Sequence, residues 1–298
     1  MSKVFLLVGE RQGRFPGSNC LYLKGVKSRL LVDAGCKREQ IMNLRDKVDG
    51  VIYTHVHPDH ITHHELLRGK RVYMPVADGN FDTIEKLSLR YAPEVHEEWT
   101  RYVNTVFGLK TVPQHDHLYE PWESISIGDL EVEAVPAPGH TRGHHILWIE
   151  KHLHLSDIDL TSFGPWYGHP ESSLEAFIAD IELAYSLEAS YYTTSHRERV
   201  FTRDEVLREL DRYRNALERQ LASVLELLRS MGPSTPKRLA REKVIYKRYL
   251  PGHEVVMNYF EINMVEKILV YLSASRGVVF KSLHGYVARD SLQPVRHS

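Results

Sequence analysis

Short runs rich in apolar and aromatic residues dominate the first two thirds of the chain, a pattern typical of β-strands. Four such runs precede residue 58: KVFLLVG, CLYLKG, SRLLVDAGC and VDGVIYTHVH. Three more follow further along: ESISIGDLEVEAVPAPGH, HHILWIEKHLHLSD and ASYYTTSH. The pattern therefore predicts two groups of strands.

Helical periodicity follows each group of strands. Residues 78–107 show it with a break at Pro93, because proline removes a helical hydrogen bond. The segment PESSLEAFIADIELAYSL has an apolar stripe at helical spacing, formed by Leu174, Phe177, Ile178 and Ile181. Strand groups followed by helices predict a layered α/β (α+β) body over residues 1–203. Within it, residues 78–107 could be a helical insert that forms a lid over a functional site, or an insert with no role in such a site.

The end of the chain has a different pattern. A long amphipathic helix is predicted over residues 204–231, and GPSTP ends it because glycine and proline do not continue a helix. Residues 232–298 then indicate a helix from Pro236, a second over about 259–274, and an alternating segment with Gly285 at its turn. We interpret 204–231 as a connecting helix and 232–298 as a small winged-helix-like module.

Charge is distributed unevenly between these parts. The 298 residues are 42% apolar, enough for a sizeable core in about two domains, and their formal net charge is −1. Residues 232–298 contain eleven Lys and Arg against five Asp and Glu, a formal +6, so the rest of the chain carries −7. This asymmetry supports a boundary near residue 232.

Cysteine content and hydropathy restrict the cellular setting. Cys20 and Cys36 are too few for a disulfide framework, and we predict two reduced, buried thiols. The apolar run from Val4 to Val8 is too short for a signal sequence or a membrane span, and no later run is long enough. We therefore predict a soluble cytoplasmic protein with no membrane partner.

The segment YTHVHPDHITHHE, residues 53–65, concentrates histidine at the end of a predicted strand. Residues two apart in an extended chain point to the same side, so His55 and His57 can converge on one point. Pro58 redirects the chain, and Asp59 and His60 can then face a second point nearby. Imidazole and carboxylate together suit divalent ions such as zinc, and also iron or manganese.

Three later residues could complete two metal sites, since each closes a predicted strand: His140, Asp157 and His196. An isolated histidine or aspartate is more often hydrogen-bonded or exposed, but four such positions in order favour metal binding. The remaining histidines of these motifs are expected to orient ligands or lie at the surface. They are His63, His64, His144 and His145.

The strings THVHPDH, GHTRGH, SDIDL and SH together resemble the metallo-β-lactamase fold superfamily, and specifically its glyoxalase II-like hydrolase branch. The resemblance covers about residues 1–203 and implies a four-layer αββα sandwich with a dinuclear site at one edge, between the sheets. It implies one metal held by His55, His57 and His140, and another held by Asp59, His60 and His196. Asp157 would bridge them.

One position departs from the family pattern. Ser156 stands where the family usually has glycine before the bridging aspartate, and Asp159 follows two positions later. Asp157, directly after the apolar LHL, is the better match. The family resemblance also implies that the dinuclear-metal-bound hydroxide attacks an ester, thioester or lactone carbonyl, with Asp59 accepting a hydrogen bond from it or passing a proton to the leaving group. Redox relatives carry glutamate where this chain has His57, so hydrolysis is favoured.

Substrate identity stays open at this point. In the loop SFGPWYGHP, Trp166 and Tyr167 could line a small-molecule pocket, with the Tyr167 hydroxyl near the metals. The loop could instead simply pack on the core. The alternative function is a metal-dependent endoribonuclease or phosphodiesterase that holds nucleic acid with its basic C-terminal module. That module could instead form a homodimer contact. A binding protein without metal is disfavoured, because every ligand position is filled.

Overall fold

Two six-stranded sheets form the centre of the structure, a computed structural model that describes residues 3–289. The first sheet has its strands in chain order: β1 (Lys3–Leu7), β2 (Cys20–Lys24), β3 (Arg29–Val32), β4 (Gly50–Ile52), β5 (Arg71–Pro75) and β6 (His117–Tyr119). In the second sheet, too, the strands follow chain order from one edge to the other: β7 (Ser124–Ile127), β8 (Leu130–Pro136), β9 (His145–Ile149), β10 (His152–His154), β11 (Tyr191–Thr194) and β12 (Arg197–Phe201). β3 to β6 are parallel, and so are β10 and β11.

Eight α-helices lie outside the sheets within the described residues. They are α1 (Arg38–Leu44), α2 (Pro58–Ile61), α3 (Ile84–Tyr91), α4 (His96–Val106), α5 (Leu174–Ser186), α6 (Arg203–Met231), α7 (Pro236–Ala240) and α8 (Glu254–Ala274). The break predicted at Pro93 falls between α3 and α4. α6 begins with a capping box in which Thr202 and Glu205 satisfy the first backbone N–H groups. α8 begins earlier than the sequence pattern indicated.

Three separate apolar cores show how these elements are layered. Leu30 and Val32 of β3 point into a core shared by both sheets, whereas Leu31 points to the opposite face. On that face, the first sheet packs against α1, α3 and α4, and α5 and α6 cover the outer face of the second sheet. The predicted four-layer αββα sandwich is therefore confirmed, and strands buried on both faces explain the nearly continuous apolar runs.

The C-terminal region packs against the sandwich. Val256, Tyr259 and Phe260 of α8 join the core outside the first sheet, and the following turns of the helix join the core around α5 and α6. A hairpin of β13 (Val279–Ser282) and β14 (Gly285–Ala288) follows, and Tyr286 also pairs with Ser234. Residues 290–298 of the predicted module lie outside the described residues. Its winged-helix character and the three domain boundaries stay predictions.

Two smaller expectations can be compared with the structure. Cys20 and Cys36 are both buried and form no disulfide, as predicted, and the Cys36 backbone N–H donates to Cys20 Sγ at 3.0 Å. Among residues 3–289, the helices lack the combination of length and apolar character that a bilayer crossing requires.

Candidate metal centre

The histidine and aspartate candidates lie where strands of both sheets end. β4 ends at Ile52 and leads into His55, and β8 ends at Pro136 shortly before His140. β10 and β11, which are parallel, lead into Asp157 and His196. Because the carboxyl ends of parallel strands meet at one edge of a sheet, residues distant in sequence come together there.

The seven predicted ligands form two buried groups. His55, His57, His140 and Asp157 make the first cluster, and Asp59, His60 and His196 make the second. Within each cluster, one potential ligand atom per residue lies within 4.8 Å of all the others. All seven residues are between 0% and 7% exposed. A donor set of imidazoles and carboxylates at this spacing is the kind that binds divalent transition metals.

Asp157 lies between the two clusters. Its Oδ2 is 3.1 Å from His140 Nε2 and 3.8 Å from His55 Nε2, on the side of the first cluster. Its Oδ1 is 3.0 Å from His60 Nε2 and 3.6 Å from His196 Nε2, on the side of the second. One carboxylate oxygen therefore faces each cluster.

Asp159, the other candidate for this position, has a different role. Its carboxylate accepts hydrogen bonds from the backbone N–H and the hydroxyl of Thr161, at 3.0 and 3.2 Å. The side chain thus stabilises its own turn.

Unpartnered buried atoms test whether the clusters fit metal ions. His55 Nε2, His60 Nε2 and Asp157 Oδ1 are buried and make no hydrogen bond of acceptable geometry within the described residues. Leaving such a polar atom without a partner costs about 1–3 kcal/mol, more when it is charged. Their convergence on two points means that the residues fit a pair of divalent ions.

The opposite ring nitrogens of the ligand histidines are held by hydrogen bonds. His140 Nδ1 donates to the Trp166 carbonyl at 2.9 Å, and His196 Nδ1 donates to the Gly13 carbonyl at 2.8 Å. His60 Nδ1 lies 2.9 Å from the Asp33 carboxylate. Such partners fix the tautomer and direct the Nε2 lone pair into the cluster, as in metal sites generally.

In the first cluster, electrostatics favours the protonation states that metal ligands require. In the second, against the effect of burial, Asp157 raises the pKa of His196 to about 9 and that of His60 well above its usual value, so a bound ion would displace protons there. Burial, together with the neighbouring histidines, lowers the pKa of His55 and His57 well below the usual value, so both are neutral. Burial alone would raise the pKa of Asp157, but His60, His196 and His140 hold it well below its usual range. Asp157 is therefore ionised. Neutral imidazole and ionised carboxylate both offer lone pairs to a cation.

The two aromatic residues predicted to wall the pocket point in different directions. The Trp166 ring lies beside the first cluster, with its centroid 5.9 Å from the His57 ring and 5.6 Å from the His140 ring. Tyr167 instead points into the core, where it is fully buried and its hydroxyl donates to Gln220 Oε1 of α6 at 2.9 Å. The expectation of a Tyr167 hydroxyl near the metals is wrong, because that polar group finds its partner on α6.

Tyr91 and His169 also face the first cluster, although the sequence did not single them out for it. Their rings are stacked with centroids 4.1 Å apart, and His169 Nδ1 donates to the Tyr91 carbonyl at 2.9 Å. The His169 ring lies 4.8 Å from the His57 ring and 5.1 Å from that of Phe260. The predicted helical insert and α8 therefore both contribute to the wall of the site.

The remaining motif histidines differ in environment. His144 Nδ1 donates to the Ala137 carbonyl, and its Nε2 accepts the backbone N–H of Asp157 at 3.0 Å, which positions the bridging residue. His145 Nδ1 donates to the Gly143 carbonyl at 2.8 Å. His64 contacts Ile61 and Thr111 through its two nitrogens. His63 is half-buried beside a surface cleft.

Comparison with known proteins agrees with this geometry. Residues 13–156 match the metallo-beta-lactamase superfamily, and five of the seven clustered residues lie within that segment: His55, His57, Asp59, His60 and His140. An uncharacterized protein of Aquifex aeolicus (strain VF5) is 28% identical over 155 residues, which are 50% of this chain and 69% of that protein.

Two solved structures are similar over most of the chain. A metallo-beta-lactamase family protein from Thermus thermophilus has a TM-score of 0.71 at 19% identity, covering 96% of this chain and 98% of that one. A beta-lactamase domain protein from Burkholderia ambifaria has a TM-score of 0.61 at 19% identity, covering 91% and 87%. At these identities the likeness concerns the fold, and its coverage extends it into the C-terminal region.

Proposed function

We propose that this protein is a dinuclear metal hydrolase that cleaves a carboxylic ester, thioester or lactone, in the manner of glyoxalase II. The observation that carries the proposal is the Asp157 carboxylate, which turns one oxygen to each cluster. The first ion would be held by His55, His57 and His140, and the second by Asp59, His60 and His196. Asp157 would be shared. We propose zinc as the metal, with iron or manganese as alternatives.

The chemistry divides between the ions and the chain. Two bound divalent cations lower the pKa of water to about 7 and polarise a carbonyl oxygen. Asp59, whose carboxylate lies 3.5 Å from His196 Nε2, accepts a hydrogen bond from the attacking water or passes a proton to the leaving group. Trp166, Tyr91 and His169 line one side of the site, where they exclude bulk water and orient the acyl group.

Burial of the ligands favours a small substrate. None of the seven clustered residues is more than 7% exposed, so a scissile carbonyl must reach side chains that the surrounding protein almost completely covers. A compact ester or lactone can do so more easily than the backbone of a folded polymer. This supports the small-molecule function over the alternative.

The alternative, an endoribonuclease or phosphodiesterase, is favoured by one observation. The segment from α7 to the start of α8 exposes six basic side chains: Lys237, Arg238, Arg241, Lys243, Lys247 and Arg248. However, α8 is packed on the sandwich, and its exposed charged residues are Glu254 and Glu266. A helix with that surface is poorly suited to the phosphate contacts of a nucleic-acid groove. A homodimer and a cytoplasmic location stay predictions.

Turnover of a substrate panel by metal-loaded protein tests the proposal. Esters, thioesters and lactones are compared with phosphodiesters and RNA, and elemental analysis counts bound ions. We expect about two ions per chain and hydrolysis of at least one carbonyl substrate, which His55→Ala reduces by a factor on the order of 10³ or more because the first cluster is incomplete. Metal-loaded protein that cleaves only the phosphodiesters would establish the alternative. Protein that acquires no ion would refute both.

A further inference from the structure

The surface cleft beside His63 lies close along the chain to the second cluster. Its volume is about 460 Å³, and it lies between the first residue of α1, the segment that follows α2, and the turn that follows α4. Side chains that line it include Arg38, His63, Arg68, Phe107 and Lys110. This volume is within the range of about 300–1,000 Å³ that small-molecule sites occupy.

The cleft is cationic within a part of the chain that is otherwise acidic. Arg38, Arg68 and Lys110 line it against one acid, Glu65, whereas residues 1–231 carry a formal −7. Glu65 accepts a hydrogen bond from Thr111 Oγ1 at 2.8 Å and lies 3.7 Å from Arg68. Within residues 3–289, Arg38 and Lys110 have no carboxylate oxygen within 4.0 Å, and the more distant charge of Lys110 helps to lower the pKa of Glu65. Their charges are therefore available to a ligand, and a concave surface concentrates their potential.

Contacts along the chain connect this cleft to the second cluster. His63 comes three residues after His60, and its backbone N–H donates to the Ala34 carbonyl at 3.0 Å. On the other side, the Phe107 ring lies 5.8 Å from the ring of Phe15. Phe15 follows closely after Gly13, whose carbonyl holds His196. The segment that follows His60 and the segment that holds His196 therefore both border the cleft.

We propose that this cleft binds an oxyanion, a carboxylate or phosphate, carried by the substrate at a distance from the scissile carbonyl. The proposal rests on the hydrolase function proposed above and specifies its substrate class. Guanidinium groups bind carboxylate and phosphate through paired, charge-assisted hydrogen bonds, and a lysine ammonium adds a point charge. The aromatic wall then receives the acyl part, while the anionic part lies outside on Arg38, Arg68 and Lys110.

A pair of substrates tests the specificity. Two esters with the same scissile bond are compared, one with a neutral tail and one with a carboxylate or phosphate tail. In the double variant Arg38→Gln/Lys110→Gln, the preference for the anionic ester, measured as the ratio of the two kcat/KM values, should fall at least about tenfold, mainly through KM. The control Arg45→Gln/Lys47→Gln removes the same charge from exposed positions outside the cleft and should leave the ratio unchanged.

A binding measurement separates this proposal from the hydrolase function. The NMR signals of the His63 ring in metal-loaded protein are followed during titration with inorganic phosphate and, separately, acetate. A saturable shift that the double variant loses and the control keeps supports the cleft as an oxyanion site, even if neither ester is cleaved. The tighter-binding ion identifies the group. Ester hydrolysis without any saturable His63 shift, or with an unchanged preference ratio, overturns the oxyanion site and leaves the hydrolase proposal intact.

Discussion

The histidines of the two clusters are oriented by different chemical groups, a carboxylate in one cluster and a loop carbonyl in the other. In the second cluster, His60 is oriented by the Asp33 carboxylate, which also accepts the backbone N–H and the hydroxyl of Thr54 at 2.8 and 2.9 Å. Asp33 follows β3 directly, and Thr54 follows shortly after β4, so the hold on His60 comes from the first sheet itself. In the first cluster, His140 is oriented by the Trp166 carbonyl, which belongs to a loop.

That loop depends on the C-terminal region for its position. Trp166 Nε1 donates to the Tyr246 hydroxyl at 2.5 Å, and Asn263 Nδ2 of α8 donates to the Gly168 carbonyl at 2.9 Å. Lys267 Nζ, also on α8, donates to the His169 carbonyl at 2.6 Å. The first cluster is therefore supported by residues far outside the αββα sandwich. The C-terminal region supports the metal centre directly, whatever else it binds.

Removing the residue common to both clusters should have the largest effect. Asp157→Asn leaves one neutral oxygen where two charged ones faced the clusters, so one ion loses a ligand and the other keeps only a weaker one. We expect kcat/KM for the ester to fall by about 10³-fold or more and the ion count to fall below two. The matched control is Asp159→Asn, whose carboxylate accepts its hydrogen bonds from Thr161 and turns no oxygen to either cluster. Equal losses in both variants would contradict the bridging assignment.

A change centred on the second cluster should have an intermediate effect, because Asp33 contacts His60 directly and reaches the first cluster only through Thr54, whose Oγ1 lies 3.1 Å from His55 Nδ1. Asp33→Asn leaves one oxygen for the Thr54 backbone N–H but puts an amide nitrogen in place of Oδ2, which weakens the hold on His60 Nδ1. Loss of such an orienting carboxylate typically costs about 10–100-fold in metal affinity or activity. Metal titration followed by elemental analysis should show one weakened ion, with the other retained. Parallel weakening of both ions would mean that the clusters are not held independently.

The sequence allowed prediction of the residues that form the two clusters but not of the groups that orient them. His55, His57 and Asp59 lie in one short motif, and each later candidate follows an apolar strand, so residue type and spacing were sufficient. The orienting carbonyls of Gly13 and Trp166 have no signature, because every residue has a carbonyl. The hydrogen bond from His196 to Gly13 also joins positions 183 residues apart, which only the folded sheets bring together.

The errors in prediction have physical reasons as well. Tyr167 lies in an irregular loop, where neighbouring side chains do not alternate as they do in a strand, so its direction could not be read from that of Trp166. The start of α8 was placed at about 259 instead of Glu254. This helix is buried on several sides and lacks an amphipathic stripe, so no periodicity marks its beginning.

Tyr246→Phe tests the dependence of the first cluster on the C-terminal region and should have a smaller effect. The variant keeps the aromatic ring but leaves Trp166 Nε1 without its acceptor. We expect KM to rise several-fold and the free energy of unfolding to fall by about 1 kcal/mol, the usual cost of one lost hydrogen bond. Tyr249→Phe is the matched control, since its hydroxyl contacts Ala240 and Asn258 instead. A similar rise of KM in that variant would rule out a specific role of the Trp166 loop.

The smallest effect on turnover should come from Asp180, where the expected change is in stability: its Oδ2 accepts the Gly139 backbone N–H at 2.6 Å, on the side of the first cluster. Burial raises the pKa of Asp180 to about 7 despite this hydrogen bond and nearby His140. Between the unfolded pKa of about 3.9 and the folded value, the folded state binds more protons, so stability falls as pH rises.

Asp180→Asn removes this proton linkage while it keeps an oxygen acceptor for Gly139. Denaturant unfolding from pH 4.5 to pH 8, with a chelator present in both samples, should show a stability difference that changes with pH. The wild type should lose stability relative to the variant by up to about 1.4 kcal/mol per pH unit, and the loss should level off above pH 7. Parallel curves would show that the carboxyl group ionises equally in both states. The loop that carries His140 would then be more hydrated than its burial indicates.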